Sequence, residues 1–95
     1  MRLRVDRQDV RMNAFVARIL TNVMEGISRS LDDIPKDSQE AVFTAEAGSG
    51  VTLEVDGIPV KMNAFVQSIV GNILRSMVTS LDDVPAAPRS IEVIL

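Results

Sequence analysis

A repeat of 50 residues dominates the sequence. Residues 3–35 align with residues 53–85 without a gap, and 16 of the 33 aligned positions are identical. Two copies are too few for a solenoid, which needs several stacked repeats. The repeat therefore predicts a tandem duplication folded about a pseudo-two-fold axis, like a dimer whose subunits have been fused. Because 95 residues support only one ordinary core, we expect a single domain over residues 1–95, made of copies 1–47 and 51–95.

Each copy opens with a predicted hairpin. In the second copy, Asp56 and Gly57 form a two-residue turn signal, because both central positions of such a turn favour positive φ. This turn predicts three apolar pairs that face the core: Val51 with Met62, Leu53 with Val60, and Val55 with Ile58. Pro59 points outward and marks an edge strand. The first copy lacks the glycine, so its turn at residues 6–9 is expected to be looser.

A long helix follows each hairpin. Asn13 and Asn63 are predicted N-caps. The apolar residues that follow, Phe15 and Ile19 among them, cover about half of the helix circumference, so we expect each helix to pack on the sheet and on the other helix. The residues chosen as buried are Leu20, Ile27, Val70 and Met77. Each helix is expected to end near its Asp pair, at 32–33 or 82–83, before a proline.

A third strand closes each copy. Apolar residues alternate at positions 41, 43 and 45 and again at positions 91, 93 and 95. The unit is therefore β-β-α-β, present twice. The predicted fold is α+β, with a six-stranded, mostly antiparallel or mixed sheet and two long helices on one face.

Composition excludes several kinds of chemistry. The chain has no His, Cys, Trp or Tyr, so it cannot hold a Ser-His-Asp triad, a disulfide or a Cys/His zinc site. Its net charge of −3 does not favour binding to nucleic acid or to an anionic membrane. No apolar run approaches the ~18 residues of a membrane span, and residues 1–6 show no signal-peptide pattern. We therefore expect a cytoplasmic protein that is not an enzyme, with no catalytic, cofactor-binding or metal-binding residues.

Asn22 and Asn72 are the polar pair of greatest interest. Each lies seven residues after a Phe, at the border of the predicted apolar helix face. The favoured interpretation is a helix junction near the pseudo-two-fold axis, where the amides hydrogen-bond to each other or to backbone and set the helix register. The alternative is a polar ligand held at that junction.

The charged residues give one further candidate surface. Arg2, Arg4 and Arg11 are predicted to share the outward face of the sheet, because side chains alternate along strands. This basic surface could receive an acidic partner or a phosphate, and the simpler interpretation is a solvated face. The carboxylate pairs at 32–33 and 82–83 are expected to be solvated helix ends rather than a cation site, since adjacent side chains do not converge.

Residues 55–66 read Val-Asp-Gly-Ile-Pro-Val-Lys-Met-Asn-Ala-Phe-Val, and they precede Ser80-Leu81 and the closing residues 91–95. This pattern resembles a small β-β-α-β module of uncharacterised bacterial and archaeal proteins. The module also occurs as a tail on proteins similar to molybdopterin-guanine dinucleotide biosynthesis protein B. The resemblance covers nearly all of each repeat and implies an accessory or assembly role. The chain departs from it at positions 82–83, where two Asp stand in place of Lys-Gly, and these residues include no nucleotide-binding domain.

Two functional hypotheses follow. The leading one is a non-enzymatic protein-interaction or assembly module, a fused pseudo-dimer with an unidentified protein partner, present as a monomer or a weak homo-oligomer. The alternative is an accessory protein that binds a small ligand or cation at the pseudo-symmetric junction, with the link to cofactor biosynthesis that the resemblance implies. A hairpin-type DNA binder is disfavoured by the negative charge.

Overall fold

In the part of the chain that the computed structural model describes, residues 1–31, 34 and 37–95, two helices accompany a six-stranded antiparallel sheet. The elements in chain order are β1 (Arg2–Val5), β2 (Gln8–Asp9), α1 (Ala14–Ser30), β3 (Ala41–Glu46), β4 (Val51–Val55), β5 (Ile58–Val60), α2 (Ala64–Thr79) and β6 (Ser90–Ile94). The predicted α+β class is confirmed, and all described strand pairings are antiparallel.

The strand order is β2-β1-β6-β3-β4-β5. We refer to residues 1–47 and 51–95 as the first and second halves of the chain. The central strands, β3 and β6, are the last strands of the two halves, and they pair with each other. Each also pairs with the hairpin of the opposite half, β6 with β1 and β3 with β4. The sheet of each half is therefore completed by the other half.

The strand registers correspond at the offset of 50 residues. Leu3 lies opposite Val93, and Leu53 lies opposite Phe43. At the centre of the sheet, Phe43 itself lies opposite Val93. Equivalent positions of the two halves thus meet on neighbouring strands, and the largest of these side chains, Phe43, is fully buried.

The second hairpin has the predicted turn but a shorter strand. Leu53 lies opposite Val60 and Val55 opposite Ile58, as predicted. β5 ends at Val60, so the predicted pair of Val51 with Met62 does not form. Ile58 is 68% exposed, which corrects its assignment to the core. The physical reason is its position on a short edge strand beside the turn, where no further strand covers it.

The first hairpin has the same tight turn, so the expectation of a looser one is wrong. Val5 lies opposite Gln8, the register that Val55 and Ile58 adopt in the second half. Arg7 takes the place of the glycine with φ 68°. A residue with a Cβ can adopt this left-handed conformation at a cost of about 1–2 kcal/mol, so the missing glycine strains the turn without opening it.

The helices begin where the sequence predicts. Asn13 Oδ1 accepts a hydrogen bond from Val16 N–H, and Asn63 Oδ1 accepts one from Val66 N–H, both at 2.8 Å. These bonds satisfy backbone donors that have no partner inside the helix. α1 and α2 end at Ser30 and Thr79, ahead of the predicted ends. Neither helix is long and apolar enough to cross a membrane, a statement limited to the described residues.

One face of the sheet carries the core. The buried strand residues occupy alternate positions: Leu3, Val5, Ala41, Phe43, Ala45, Val51, Leu53, Val55, Ile91 and Val93. The helices add Leu20, Met24, Val70, Leu74 and Val78 to the same cluster. Both helices therefore cover this face. Of the helix residues predicted to be buried, Leu20 and Val70 are buried, whereas Ile27 and Met77 are only partly buried against the cluster.

Candidate functional site

Phe15 and Phe65 point away from the core. They are the second residues of α1 and α2, and they are 65% and 70% exposed. Each lies nine positions before a fully buried residue, Met24 in α1 and Leu74 in α2. At about 100° per residue, nine positions place two side chains on opposite sides of a helix. Two of the three aromatic residues of the chain are thus exposed to solvent, and the third, Phe43, lies in the core.

Ile19 and Ile69 extend these exposed positions by one helical turn, and they too are exposed. We call Phe15, Ile19, Phe65 and Ile69 the outward helix face. The sequence pattern counted these four residues in the apolar stripes expected to pack on the sheet and on the other helix, and that expectation is wrong for them. Periodicity shows that a stripe is apolar, but it does not show which part of a wide stripe another element covers.

Asn22 and Asn72 lie on the side of the helices that carries the outward helix face. Each follows its Phe by seven positions, which is close to two helical turns. Both residues are exposed. The structure therefore places the pair in solvent rather than in the predicted hydrogen-bonded junction.

Arg2 and Arg4 lie on the face of the sheet opposite the helices, as predicted. Arg2 donates from Nε and Nη2 to the two carboxylate oxygens of Asp9, at 2.8 and 3.1 Å. Arg4 Nη1 lies 3.4 Å from Glu92 Oε1, and Arg4 Nη2 donates to the carbonyl of Arg7 at 2.9 Å. The hydrogen bond from Arg2, helped by its charge, lowers the pKa of the Asp9 carboxyl, and the same bond raises the pKa of Arg2.

Arg11 is separate from this pair. It is exposed in the segment after β2, and it has no ion pair with another described residue. The predicted basic surface thus consists of two Arg that already have carboxylate partners and a third outside the strands. Since ion pairing offsets the charge of Arg2 and Arg4, this surface has little charge left to attract a phosphate.

Asp6 and Asp56 have a role that the sequence interpretation missed. Asp6 Oδ1 accepts hydrogen bonds from the backbone N–H groups of residues 89–90, at 2.7 and 3.0 Å. Asp56 Oδ1 accepts from the N–H groups of residues 39–40, at 3.0 and 2.8 Å. Each carboxylate thus links the hairpin of one half, by hydrogen bonds, to the backbone at the start of the last strand of the other half. The sequence predicts only that both Asp form turns. Their backbone hydrogen-bond partners depend on the strand order.

The remaining carboxylates do not assemble a metal centre in the part of the chain that is described. Asp82 and Asp83 are exposed after the end of α2, and Asp32 and Asp33 lie outside the described residues. No group of three or more described Asp or Glu residues is placed to hold a metal ion. The cation interpretation therefore gains no support from geometry.

A concavity lies where the first hairpin, β3 and the start of β6 meet. Its lining comprises Arg4, Asp6, Arg7, Thr44, Glu46, Arg89, Ser90 and Glu92. Three cationic and three anionic side chains thus surround it, so it has no excess charge to select an ionic ligand. Asp6 is also already occupied by the backbone of residues 89–90.

No known protein family, curated protein or solved structure matches this chain. The resemblance to the small β-β-α-β module therefore stays a prediction. The fold and the outward helix face are the basis on which a function can be argued.

Proposed function

We propose that the chain is a protein-interaction or assembly module without enzymatic activity, built as a fused pseudo-dimer from two duplicated units. Two features of the sheet support the duplicated arrangement about a pseudo-two-fold axis. The strand registers of the two halves correspond at the 50-residue offset. The last strand of each half also completes the sheet of the other, as subunits do when they exchange an element.

The outward helix face carries the interaction role. Single exposed apolar side chains are ordinary on protein surfaces, but here Phe and Ile are exposed at the same positions of both helices. The core does not require either Phe, since both face solvent. An aromatic side chain buries a large apolar area at low entropic cost, so Phe15 and Phe65 are suited to anchor a partner.

The sheet edges are poor alternatives for docking. β2 has two residues, and β5 has three, including Pro59, which cannot donate a hydrogen bond to an added strand. A peptide that extends the sheet would therefore find few backbone partners. This argues for a partner that contacts the helices.

A small-ligand or cation site is the weaker alternative. The concavity beside Arg7 has balanced charges, and the pair Asn22 and Asn72 is solvated. If a cation bound to the native chain, millimolar Ca²⁺ or Mg²⁺ would raise the melting temperature by mass action. We expect no rise beyond that produced by an equal ionic strength of Na⁺.

The proposal is tested by removing both anchors together. We would introduce F15S/F65S, crosslink the full chain in lysate of the cells that produce it, and quantify the captured proteins by mass spectrometry. The native chain should capture a reproducible set of proteins that the variant does not. Because both positions are exposed, the variant should unfold within about 0.5 kcal/mol of the native chain.

The matched control changes two residues on the opposite face of the sheet. Thr44 and Thr52 are paired across β3 and β4, and T44A/T52A removes polar atoms there without touching the helices. This control should capture the same set as the native chain. If F15S/F65S captured that set undiminished, the helices would not be the docking site.

A further inference from the structure

We propose that the face of the sheet opposite the helices binds the same face of a second copy of this chain, about a two-fold axis parallel to the strands. We call this surface the outer sheet face. The proposal does not rest on the outward helix face, which lies in the other layer of the molecule. The outward residues of the four central strands are Arg2, Arg4, Val42, Thr44, Glu46, Thr52, Glu54, Ser90, Glu92 and Ile94.

No described helix or strand covers the outer sheet face. Both helices contribute to the buried cluster on the other face, and the outward side chains of the two central strands are mostly half-buried by their neighbours. Antiparallel sheets with one solvated face are common, so exposure alone does not indicate a partner. The order of the residues across the face carries the argument.

One row of residues across the sheet consists of a cation, two apolar side chains and a carboxylate. Arg2 lies opposite Ile94, and Ile94 lies opposite Val42. Val42 in turn lies opposite Glu54. A two-fold axis between β6 and β3, parallel to the strands, reverses this order in the second copy. It therefore places Arg2 over Glu54 of the second copy and Ile94 over Val42 of the second copy, and each contact occurs twice in the dimer.

The neighbouring row is also compatible with its own reverse. It consists of Arg4, Glu92, Thr44 and Thr52. The same axis places Arg4 over Thr52 of the second copy, and it places Glu92 over Thr44 of the second copy. No like charges of this row therefore lie directly opposite one another.

The third row adds no charge preference. Glu46 lies opposite Ser90 in the sheet, so the axis places it over Ser90 of the second copy. Ser90 lines the concavity beside the first hairpin, where three cationic and three anionic side chains balance. The row of Arg2 and Glu54 is therefore the one that selects the arrangement by charge.

Charge favours this axis over one perpendicular to the strands. A perpendicular axis would place β1 on β1 of the second copy, so that Arg2 and Arg4 would meet cations, which opposes association. The parallel axis places β1 on β4. Packed sheets lie about 10 Å apart with their strands within about 30° of each other, a gap that an Arg and a Glu side chain can span together. The bonds from Arg2 to Asp9 use two of its five N–H donors, so donors remain for Glu54 of the second copy.

A second copy is the occupant that this order of residues fits. Complementarity of a face with itself is required for a symmetric homodimer and is not required for a different partner. Only two of the ten outward residues, Val42 and Ile94, are apolar, so the interface is more polar than that of an obligate dimer. We therefore expect a transient dimer with a Kd of about 10–100 μM.

The test is charge reversal in two variants of the full chain, measured separately and then mixed. R2E and E54R each replace an opposite-charge contact by a like-charge contact at both symmetric positions. Sedimentation equilibrium should therefore show dimerisation weakened at least about tenfold for each variant alone. An equimolar mixture of R2E and E54R has opposite charges at both positions of the mixed dimer. The mixture should regain an affinity close to that of the native chain.

R18E is the matched control. Arg18 is exposed on α1, so R18E changes the net charge by the same amount as R2E but leaves the outer sheet face intact. It should dimerise within about threefold of the native chain at physiological salt. R2Q and E54Q form a second arm that removes a charge without adding repulsion, and each should weaken dimerisation about two- to tenfold. This arm decides the question even if R2E unfolds because of the carboxylate that it introduces beside Asp9.

Three results would overturn the proposal. A native chain that stays monomeric at about 1 mM, well above the expected Kd, would exclude the dimer. Dimerisation of R2E, E54R, R2Q and E54Q with the native affinity would place the dimer contact on another surface. Weakened variants whose mixture does not regain affinity would exclude the pairing of Arg2 with Glu54 and the parallel axis with it.

Discussion

On the outer face of the sheet, Arg4 of the first half lies opposite Glu92, whereas Glu54, its counterpart in the second half, lies opposite Val42. The pairing of β1 with β6 thus brings two charged residues together, and the equivalent pairing of β4 with β3 does not. Inside the molecule the halves agree closely. Leu3 and Leu53 are buried to the same degree and pair with the last strand of the other half.

This comparison distinguishes positions at which the fold restricts the side chain from positions at which different side chains are accepted. The outer face of the sheet accepts both the half-buried pair of Arg4 with Glu92 and the exposed Glu54, because ion pairs at or near the surface contribute little stability. Core positions cannot vary so freely, since packing is dense. Phe15 and Phe65 fit neither class: they are exposed, yet they are the same residue in both halves. The fold does not explain them, which is why we propose that they contact a partner.

The largest expected difference is between buried and exposed Phe. Phe43→Ala removes a fully buried ring from the centre of the sheet and should lower the free energy of unfolding by about 3–5 kcal/mol. Phe15→Ala and Phe65→Ala should each change it by less than about 0.5 kcal/mol. Urea unfolding followed by circular dichroism measures all three. A loss above 1 kcal/mol at Phe15 or Phe65 would give these residues a structural role and break the distinction.

The turn carboxylates should act alike in both halves. Asp6→Gly and Asp56→Gly keep a residue that accepts positive φ but remove the bonds to the last strand of the opposite half, so each should cost about 1–2 kcal/mol. Asn in the same positions keeps a side-chain oxygen acceptor and should cost much less. Thermal melts of the four variants provide the comparison. Equal losses for Gly and Asn would show that the hydrogen bonds to Oδ1 are not the source of the stability.

Substitutions of the residue that follows each turn Asp, Arg7 in the first half and Gly57 in the second, should have opposite effects on stability. Arg7→Gly relieves the left-handed strain at φ 68° and should stabilise the chain by up to about 1 kcal/mol, less any loss from the backbone entropy of glycine. Gly57→Ala introduces that strain at φ 81° and should destabilise it by about 1 kcal/mol. Chemical unfolding of both variants tests this pair. Destabilisation by Arg7→Gly would mean that contacts of the Arg7 side chain outweigh the strain.

The smallest expected effect is a dependence of stability on pH, which arises from the pair of Arg2 and Asp9 in the first half. The hydrogen bond from Arg2 lowers the pKa of Asp9 in the folded chain. The stabilisation of the folded chain by this hydrogen bond is therefore fully present above the ordinary Asp pKa near 3.9. It is lost as the pH falls through the lower pKa of Asp9 in the folded chain. The stability difference between the native chain and Asp9→Asn should be small at pH 7 and should shrink as the pH falls below the ordinary Asp pKa. A difference that grows on acidification would contradict this assignment.

Much of the local structure could be predicted from the sequence because it depends on neighbouring residues. Asn13 and Asn63 cap helices through bonds within one turn, and Asp56-Gly57 sets a hairpin register through its own φ values. The pairings of β6 with β1 and with β3 join residues 44 to 92 positions apart, for which periodicity gives no information. The bonds of Asp6 to residues 89–90 were missed for that reason.

The candidate site was less predictable than the fold. The spacing of Phe15 and Ile19 places them in an apolar helix stripe. A stripe that faces solvent has the same sequence pattern as a stripe that packs on another helix. Asn22 was assigned to a junction because it borders that stripe, whereas its exposure follows from which side of the helix meets the sheet. Only the packed structure supplies that information.

Expression of residues 1–47 without residues 51–95 tests most directly whether the two halves form one fold. Among the strands that the structure describes, β3 pairs with β4 and β6 and has no neighbour from its own half. We predict that analytical ultracentrifugation and circular dichroism will find residues 1–47 either unfolded or self-associated, and that adding residues 51–95 will restore a cooperatively unfolding one-to-one complex. A monomer of residues 1–47 that unfolds cooperatively by itself would contradict the shared fold.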